Sequence, residues 1–371
     1  MGIAPDADPV TALLASAGMT TSIDTVVIGG GQAGLTIGYH LRRVDREFVV
    51  LDADDRVGDS WRQRYDSLRL FSLPKYASLP GWRIPGPDYP SRDAMADYLE
   101  AYAARFALPV RNRMRVTSVI AEAGGFRVSA GTEDYLARNV VVTTGSHRRA
   151  TVPELAASLD PEIRQLTSLQ YRNPTQLAPG PVLVVGAGNS GTDIALEAVA
   201  AGHETYLSGR HPGQVPFDID SPRGRRTTPV VMFVFRHVLT LRTPMGRKAR
   251  AHQLSHGVNL VRNKLADLDA AGVRRIGRIE RVEGGKPVPT EGELPAVGTV
   301  VWCTGSRPDN RFLELPAFGE DGRPRHTRGV SEVPGLYFLG LEFQFALASG
   351  QIQGLDRDAR YLVRRLAKAG G

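Results

Sequence analysis

The chain has 371 residues, room for two to three domains of ordinary size, and its 42% hydrophobic and 23% charged residues describe a globular protein rather than a disordered one. The single cysteine, Cys303, excludes an internal disulfide and every CxxC dithiol or zinc arrangement, and no apolar run approaches the ~18 residues of a membrane span. The net charge of +7 is concentrated: ten lysines and arginines and no acid lie between Ser221 and Lys264. Such a segment suits phosphates, an anionic membrane surface, an acidic partner or a plain solvated face, and without a recognition motif it does not point to nucleic acid.

Residues 1–21, rich in Ala, Pro and Asp and without a basic n-region, read as a disordered extension and not as a secretory signal, so a cytoplasmic protein is expected. Thr25-Val-Val-Ile28 then forms a short apolar strand, followed by the turn Gly29-Gly-Gly31-Gln32-Ala33-Gly34, a helix to about Arg43 and a second strand from Phe48 to Leu51 ending at Asp52. The same grammar returns as Val182 to Val185, Gly186-Ala-Gly188-Asn189-Ser190-Gly191, a helix to about Ala201 and a strand from Thr205 to Leu207. Strand, glycine turn, helix, strand is a βαβ unit, and its glycines permit the tight turn, the approach of a diphosphate and close helix packing. Between Val116 and Val142, alternating residues around Gly124-Gly125 predict an antiparallel meander. Apolar strands end at Thr144-Gly145 and again at Thr304-Gly305, and an amphipathic helix closes the chain from about Gly350 to Lys368.

The residue at the end of each second strand separates the nucleotides. Asp52 offers a carboxylate to ribose hydroxyls, as FAD or NAD requires, whereas the second unit places Ser208 and Arg210 there, which favour a 2′-phosphate. The expected fold is therefore α/β with two Rossmann-like dinucleotide-binding domains: an FAD domain in two parts, 22–178 and 291–371, with an NADPH domain, 179–290, inserted into it.

These motifs, together with Gly58-Asp-Ser60-Trp61, Tyr65-Asp-Ser-Leu-Arg-Leu70, Leu207-Ser-Gly-Arg210 and Gly335-Leu-Tyr-Phe-Leu-Gly340, resemble the class B flavoprotein monooxygenases, which include flavin-containing monooxygenases and plant indole-pyruvate monooxygenases. The Phe-x-Gly-x-x-x-His stretch usual in that family is absent, its place being taken by Pro161 to Ser168. The resemblance implies a glutathione-reductase-like architecture, hydride transfer from NADPH to FAD, and oxygen transfer from molecular oxygen through a C4a-(hydro)peroxyflavin to a nitrogen, sulfur or carbonyl centre of a small molecule. A flavin reductase or oxidase without oxygen transfer, and a flavin-binding sensor or interaction protein, stay open as alternatives. Gln344 and Asn189 are the candidate catalytic residues. Ser60, Trp61, Val116, Gly340, Ser349 and Gln351 join the two glycine turns, Asp52, Ser208, Arg210 and the two Thr-Gly pairs as expected cofactor contacts. Ser349-Gly350-Gln351 would present a helix start to the flavin. No metal site is expected. A peripheral membrane contact through the basic segment and a homodimer are open expectations.

Overall fold

The computed structural model describes residues 20–216, 218–256 and 259–369. The expected extension therefore lies outside the described residues except for Thr20 and Thr21, which already belong to the first strand.

In chain order the main elements are β1 (Thr20–Ile28), α1 (Gln32–Arg43), β2 (Phe48–Leu51), α2 (Arg92–Arg105), β3 (Val110–Arg111), β4 (Val116–Glu122), β5 (Gly125–Ala130), β6 (Glu133–Val142), β7 (Arg164–Thr167), β8 (Val182–Val185), α3 (Asn189–Ala200), β9 (Thr205–Ser208), α4 (Pro222–Phe233), α5 (Pro244–His256), β10 (Arg274–Ile276), β11 (Thr299–Trp302), β12 (Leu336–Phe338) and α6 (Ile352–Ala369). Both βαβ units appear where the sequence places them.

The first sheet runs β12-β6-β1-β2-β3 in parallel, with the antiparallel β4-β5 hairpin continuing from β6. Where its central strands lie side by side, Val26–Ile28, Phe48–Leu51 and Val140–Val142, they are apolar at every position because both faces are covered. Val27, Val50 and Val141 pack against Leu35, Ile37 and Leu41 of α1 and Leu355, Ala359, Leu362 and Leu366 of α6. Val26, Ile28, Val49 and Val142 face Phe126, Val128 and Leu313 on the other side. In α6 the buried positions recur at helical spacing, so its burial against α1 is written in its period.

The second sheet, β10-β9-β8-β11-β7, is parallel throughout. It reaches beyond the expected 179–290 segment on both sides. β7 precedes that segment and β11 follows it, and β11 pairs with β8 and β7 together, Val300 lying opposite both Leu183 and Gln165. Within 179–290, β10, β9 and β8 leave the outer edge of β8 open, and β11 and β7, from outside that segment, complete the sheet. Pro161 to Ser168 thus contributes a strand to this sheet, ending where Ser168 N donates to Trp302 O at 3.0 Å.

Candidate active site

The two glycine turns have the same geometry. Gly29 and Gly186 sit at φ +107° and +113°, conformations that side chains rarely adopt. A Cβ on Gly34 would lie 1.9 Å from Gly29 O, and one on Gly191 would lie 1.8 Å from Gly186 O, so both helices press onto their turns. A Cβ on Gly31 or Gly188 would meet nothing within 4 Å. These middle glycines, each the N-cap of its helix, front an open cradle at helix ends whose first N–H groups lack intrahelical partners. Gly145 and Gly305, at φ +73° and +91°, face open space in the same way. Each turn is backed by one residue that closes the next strand. Thr143 donates its hydroxyl to both Ile28 O and Gly29 O at 2.8 Å. Cys303 takes the matching place, its N donating to Val185 O at 2.7 Å under Gly186. The lone cysteine is a backing residue, and burial pushes its thiol up.

Asp52 is almost fully buried at the end of β2, with its carboxylate against Gly30, where an added Cβ would meet Oδ2 at 2.4 Å. Burial raises its carboxyl above the usual range. Met114 N donates to Asp52 O at 2.8 Å, which brings the chain leading into Val116 beside the same strand end. Trp61 Nε1 donates to Gln32 Oε1 at 3.2 Å, and Ser60 precedes it in the short helix Asp59–Arg62. Gly340 sits between the first turns of α1 and α6, its added Cβ 3.5 Å from Ala33 and 3.7 Å from Leu355. Two helix starts therefore converge beside the first cradle, and the positive ends of their dipoles add. A cleft of about 450 Å³ opens at the α6 start, where Lys75, Arg83 and Arg236 meet Tyr76, Trp82 and Gln353.

Four expected site residues are committed elsewhere. Gln344 is fully buried, with Oε1 accepting from Gly340 N and Leu341 N at 3.1 and 3.3 Å and Nε2 donating to Arg328 O at 3.2 Å. It braces the Gly340 loop and has no free polar atom for catalysis. Ser349, equally buried, accepts from Phe345 N and Ala346 N at 3.1 and 3.0 Å, so it ties the loop before α6, while Gln351 accepts from Gln353. Ser208 is fully buried and donates to Gly277 O at 2.8 Å. Asn189 is a fifth departure: its Nδ2 donates to Asn259 O at 3.0 Å and its Oδ1 accepts from Val261 N at 2.9 Å. It clamps the returning segment to the second turn instead of standing free to react.

Arg210 does reach open space. It lines a cleft of about 600 Å³ beyond β9 with His211, Gly213, His252, Asn259 and Arg278, and no carboxylate is among the lining residues. His211 Nδ1 accepts from Gly213 N at 3.0 Å, which leaves the proton on Nε2, and that nitrogen is buried without a partner. A cleft lined by two guanidinium groups and by a histidine with an unpartnered N–H suits a phosphate.

Sequence reasoning also missed the joint between the units. Tyr65 donates to Asp193 Oδ2 at 2.6 Å, and Asn263 donates to Asp193 Oδ1. Tyr171 donates to Glu197 Oε2 at 2.8 Å, and Ser67 donates to Glu197 as well. Burial pushes both carboxyls up despite these donors. Arg262 donates to Leu70 O at 2.9 Å from the same returning segment. The available signal was the pair of acids four residues apart on α3, a helix that carries no basic residue.

The fold and its paired cradles define a two-dinucleotide flavoprotein oxidoreductase. The chain belongs to the pyridine nucleotide-disulphide oxidoreductase family, whose pattern matches residues 26–223. With one cysteine, it lacks the dithiol that the family name implies. It is 36% identical to an uncharacterized CzcO-like oxidoreductase of Geobacillus kaustophilus over 92% of this chain and 97% of that one. It is 33% identical to the probable indole-3-pyruvate monooxygenase YUCCA8 of Arabidopsis thaliana over 46% of this chain and 43% of that one. The structure of a flavin-containing monooxygenase from Stenotrophomonas maltophilia superposes with a TM-score of 0.78 at 30% identity, covering 95% of this chain and all of that one. The chain is a flavin-dependent oxidoreductase with monooxygenases among its relatives, and FAD and NADP(H) are its cofactors. Among the described residues no helix is long and apolar enough to cross a membrane, and no group of three or more His, Cys, Asp or Glu is placed to hold a metal.

Proposed function

We propose that the chain is an NADPH-dependent FAD monooxygenase acting on a nucleophilic nitrogen or sulfur, or a carbonyl carbon, of a small molecule. The observation that carries this reading is the pair of matched cradles, the second of which is followed by a cleft lined by Arg210 and Arg278 and by no carboxylate. When bound, FAD supplies the hydride-accepting and oxygen-activating chemistry.

The chain's own residues bind, orient and polarise. In this reading the α1 start and the open face at Gly31 hold the FAD diphosphate, Asp52 accepts from its ribose hydroxyls, and Trp61 is oriented by Gln32. The α6 start would favour negative charge on a flavin ring held beside it. At the second cradle Gly188 would admit the NADPH diphosphate, and Arg210, Arg278 and His211 Nε2 would hold the 2′-phosphate. Asn189 and Asp193 are positioning residues that fix the second turn against the first unit. Lys75, Arg83 and Arg236, three cations against the one carboxylate of Asp356, make the cleft at the α6 start suitable for a substrate that carries negative charge.

The test is rapid mixing of NADPH-reduced protein with oxygen while the flavin spectrum is followed, paired with turnover under isotopically labelled oxygen. A transient absorbing to the blue of oxidised flavin, and label in an organic product, are expected. Direct reoxidation with all reducing equivalents released as hydrogen peroxide would favour the reductase or oxidase reading, which the missing Phe-x-Gly-x-x-x-His stretch supports. Absence of NADPH oxidation would leave only the sensor reading.

A further inference from the structure

The three most exposed large apolar side chains among the described residues are neighbours in sequence: Val230 at 65%, Met245 at 60% and Phe233 at 59%. Val230 and Phe233 belong to α4, whose inner face is held by Gly224, where a Cβ would strike Asp218 O at 2.0 Å, and by buried Thr228. The outer face reads Arg223, Arg226, Val230, Phe233, His237, at steps of three and four residues, and every one of these is exposed. The π-turn Val234–Val238 keeps His237 on that face, its ring 4.9 Å from the Phe233 ring. Met245 and Lys248 stand one turn apart at the start of α5, with Arg247 and Arg250 exposed beside them.

The charges on this face are unusual in having no counter-ions. Arg225 and Arg262 of the same segment pair with Asp88 and Asp220. Among the described residues, Arg223, Arg226, Arg247, Lys248 and Arg250 pair with no carboxylate, and the sequence supplies none between Ser221 and Lys264. An exposed apolar stripe is costly in water, and the cations that flank it repel one another with no carboxylate between them.

We infer that the outer face of α4 and the start of α5 dock the protein on an anionic lipid surface, Val230, Phe233 and Met245 entering the headgroup boundary while the five cations meet lipid phosphates. A second copy of the chain is the poorer occupant. A twofold contact would set Arg223 and Arg226 against their own copies, with no acid to relieve them. Nucleic acid would meet the cations but leave the apolar stripe unburied. Lipid satisfies both, as basic amphipathic helices do at membrane interfaces.

The experiment is co-sedimentation of the FAD-loaded full chain with vesicles of phosphatidylcholine, alone or with about one third phosphatidylglycerol. Partition is expected only onto the anionic vesicles, falling steeply with added salt. Arg223→Gln with Arg226→Gln should weaken it roughly 25-fold, about fivefold per cation. Val230→Ser, Phe233→Ser and Met245→Ser together should also weaken it and make the residue of binding fully salt-releasable. All five positions are exposed, so flavin content and NADPH oxidation in solution should be unchanged. No partition onto anionic vesicles, equal partition onto neutral ones, or variants that bind like the parent would overturn the inference. So would a dimer by sedimentation velocity that Phe233→Ser dissociates, which would assign the face to a second copy.

Discussion

Gly31 and Ser208 show how differently single residues behave once their surroundings are known. An added side chain at Gly31 meets no protein atom, and its backbone is extended rather than left-handed, so Gly31→Val should fold normally while filling the space that FAD needs. The expected outcome is an unchanged circular dichroism spectrum with flavin stoichiometry near zero. A fully yellow variant would refute the first cradle as the FAD site. Ser208→Ala should lose one buried hydrogen bond, worth about 1 kcal/mol of stability, and leave the NADPH-to-NADH preference unchanged. Arg210→Ala removes a charge-assisted contact of about 1.5–3 kcal/mol, so NADPH should bind roughly 10- to 150-fold more weakly. NADH, lacking the phosphate, should hardly change. Dissociation constants for both coenzymes distinguish this from a general loss of the site, and His211→Phe should reproduce the selective effect if Nε2 donates to the phosphate.

At the scale of elements, α3 joins the second cradle to the first unit through two carboxylates. Tyr65→Phe keeps the ring but removes the hydroxyl that bonds Asp193. Flavin reduction by NADPH should slow several-fold in single-turnover mixing, with NADPH affinity little changed. Equal reduction rates would make the bond purely structural. The pH dependence has a definite sign. Burial raises the Asp193 carboxyl in the folded state, so its stabilising share is complete below the ordinary carboxylate pKa and is lost as pH rises through the raised value. Asp193→Asn cannot titrate, so the fall in melting temperature from about pH 4 towards neutrality should be shallower in the variant than in the parent. Asp52 and Glu197, also raised by burial, contribute the same slope and remain in both proteins.

Across the whole molecule, the two sheets are linked by the returning segment around residues 259–263 as much as by the backbone crossings near β7 and β11. Asn189 holds this segment to the second turn, Asn263 holds it to α3, and Arg262 carries it to the backbone of residues 69 and 70 in the first unit. The segment follows α5, so the basic, outward-facing helices are anchored at the joint between the two nucleotide sites. Arg262→Ala should therefore loosen the joint without touching either cradle. The expected result is slower flavin reduction with flavin content retained, measured by stopped-flow absorbance and by flavin release on denaturation.

What the sequence determined by itself was whatever local physics dictates. Apolar runs such as Thr25-Val-Val-Ile28 and Val182 to Val185 belong in a covered parallel sheet, and the glycines at 29 and 34 and at 186 and 191 are dictated by backbone geometry within six residues. The meander around Gly124-Gly125 and the amphipathic period of α6 were legible for the same reason. Side-chain direction was not. Nothing local shows that Ser208 donates to Gly277 O, or that Gln344 and Ser349 spend their polar atoms on loop amides, because the partners come from folding of distant segments. Nor could spacing reveal that β7 and β11 complete the second sheet, that Tyr65 meets Asp193 across 128 positions, or that Arg278 joins Arg210 around one cleft. A strand's pattern states that it must be covered without saying by which neighbour, and a polar side chain's chemistry states what it can bind without saying what lies within 3 Å. Those choices are made only when the two sheets close on each other.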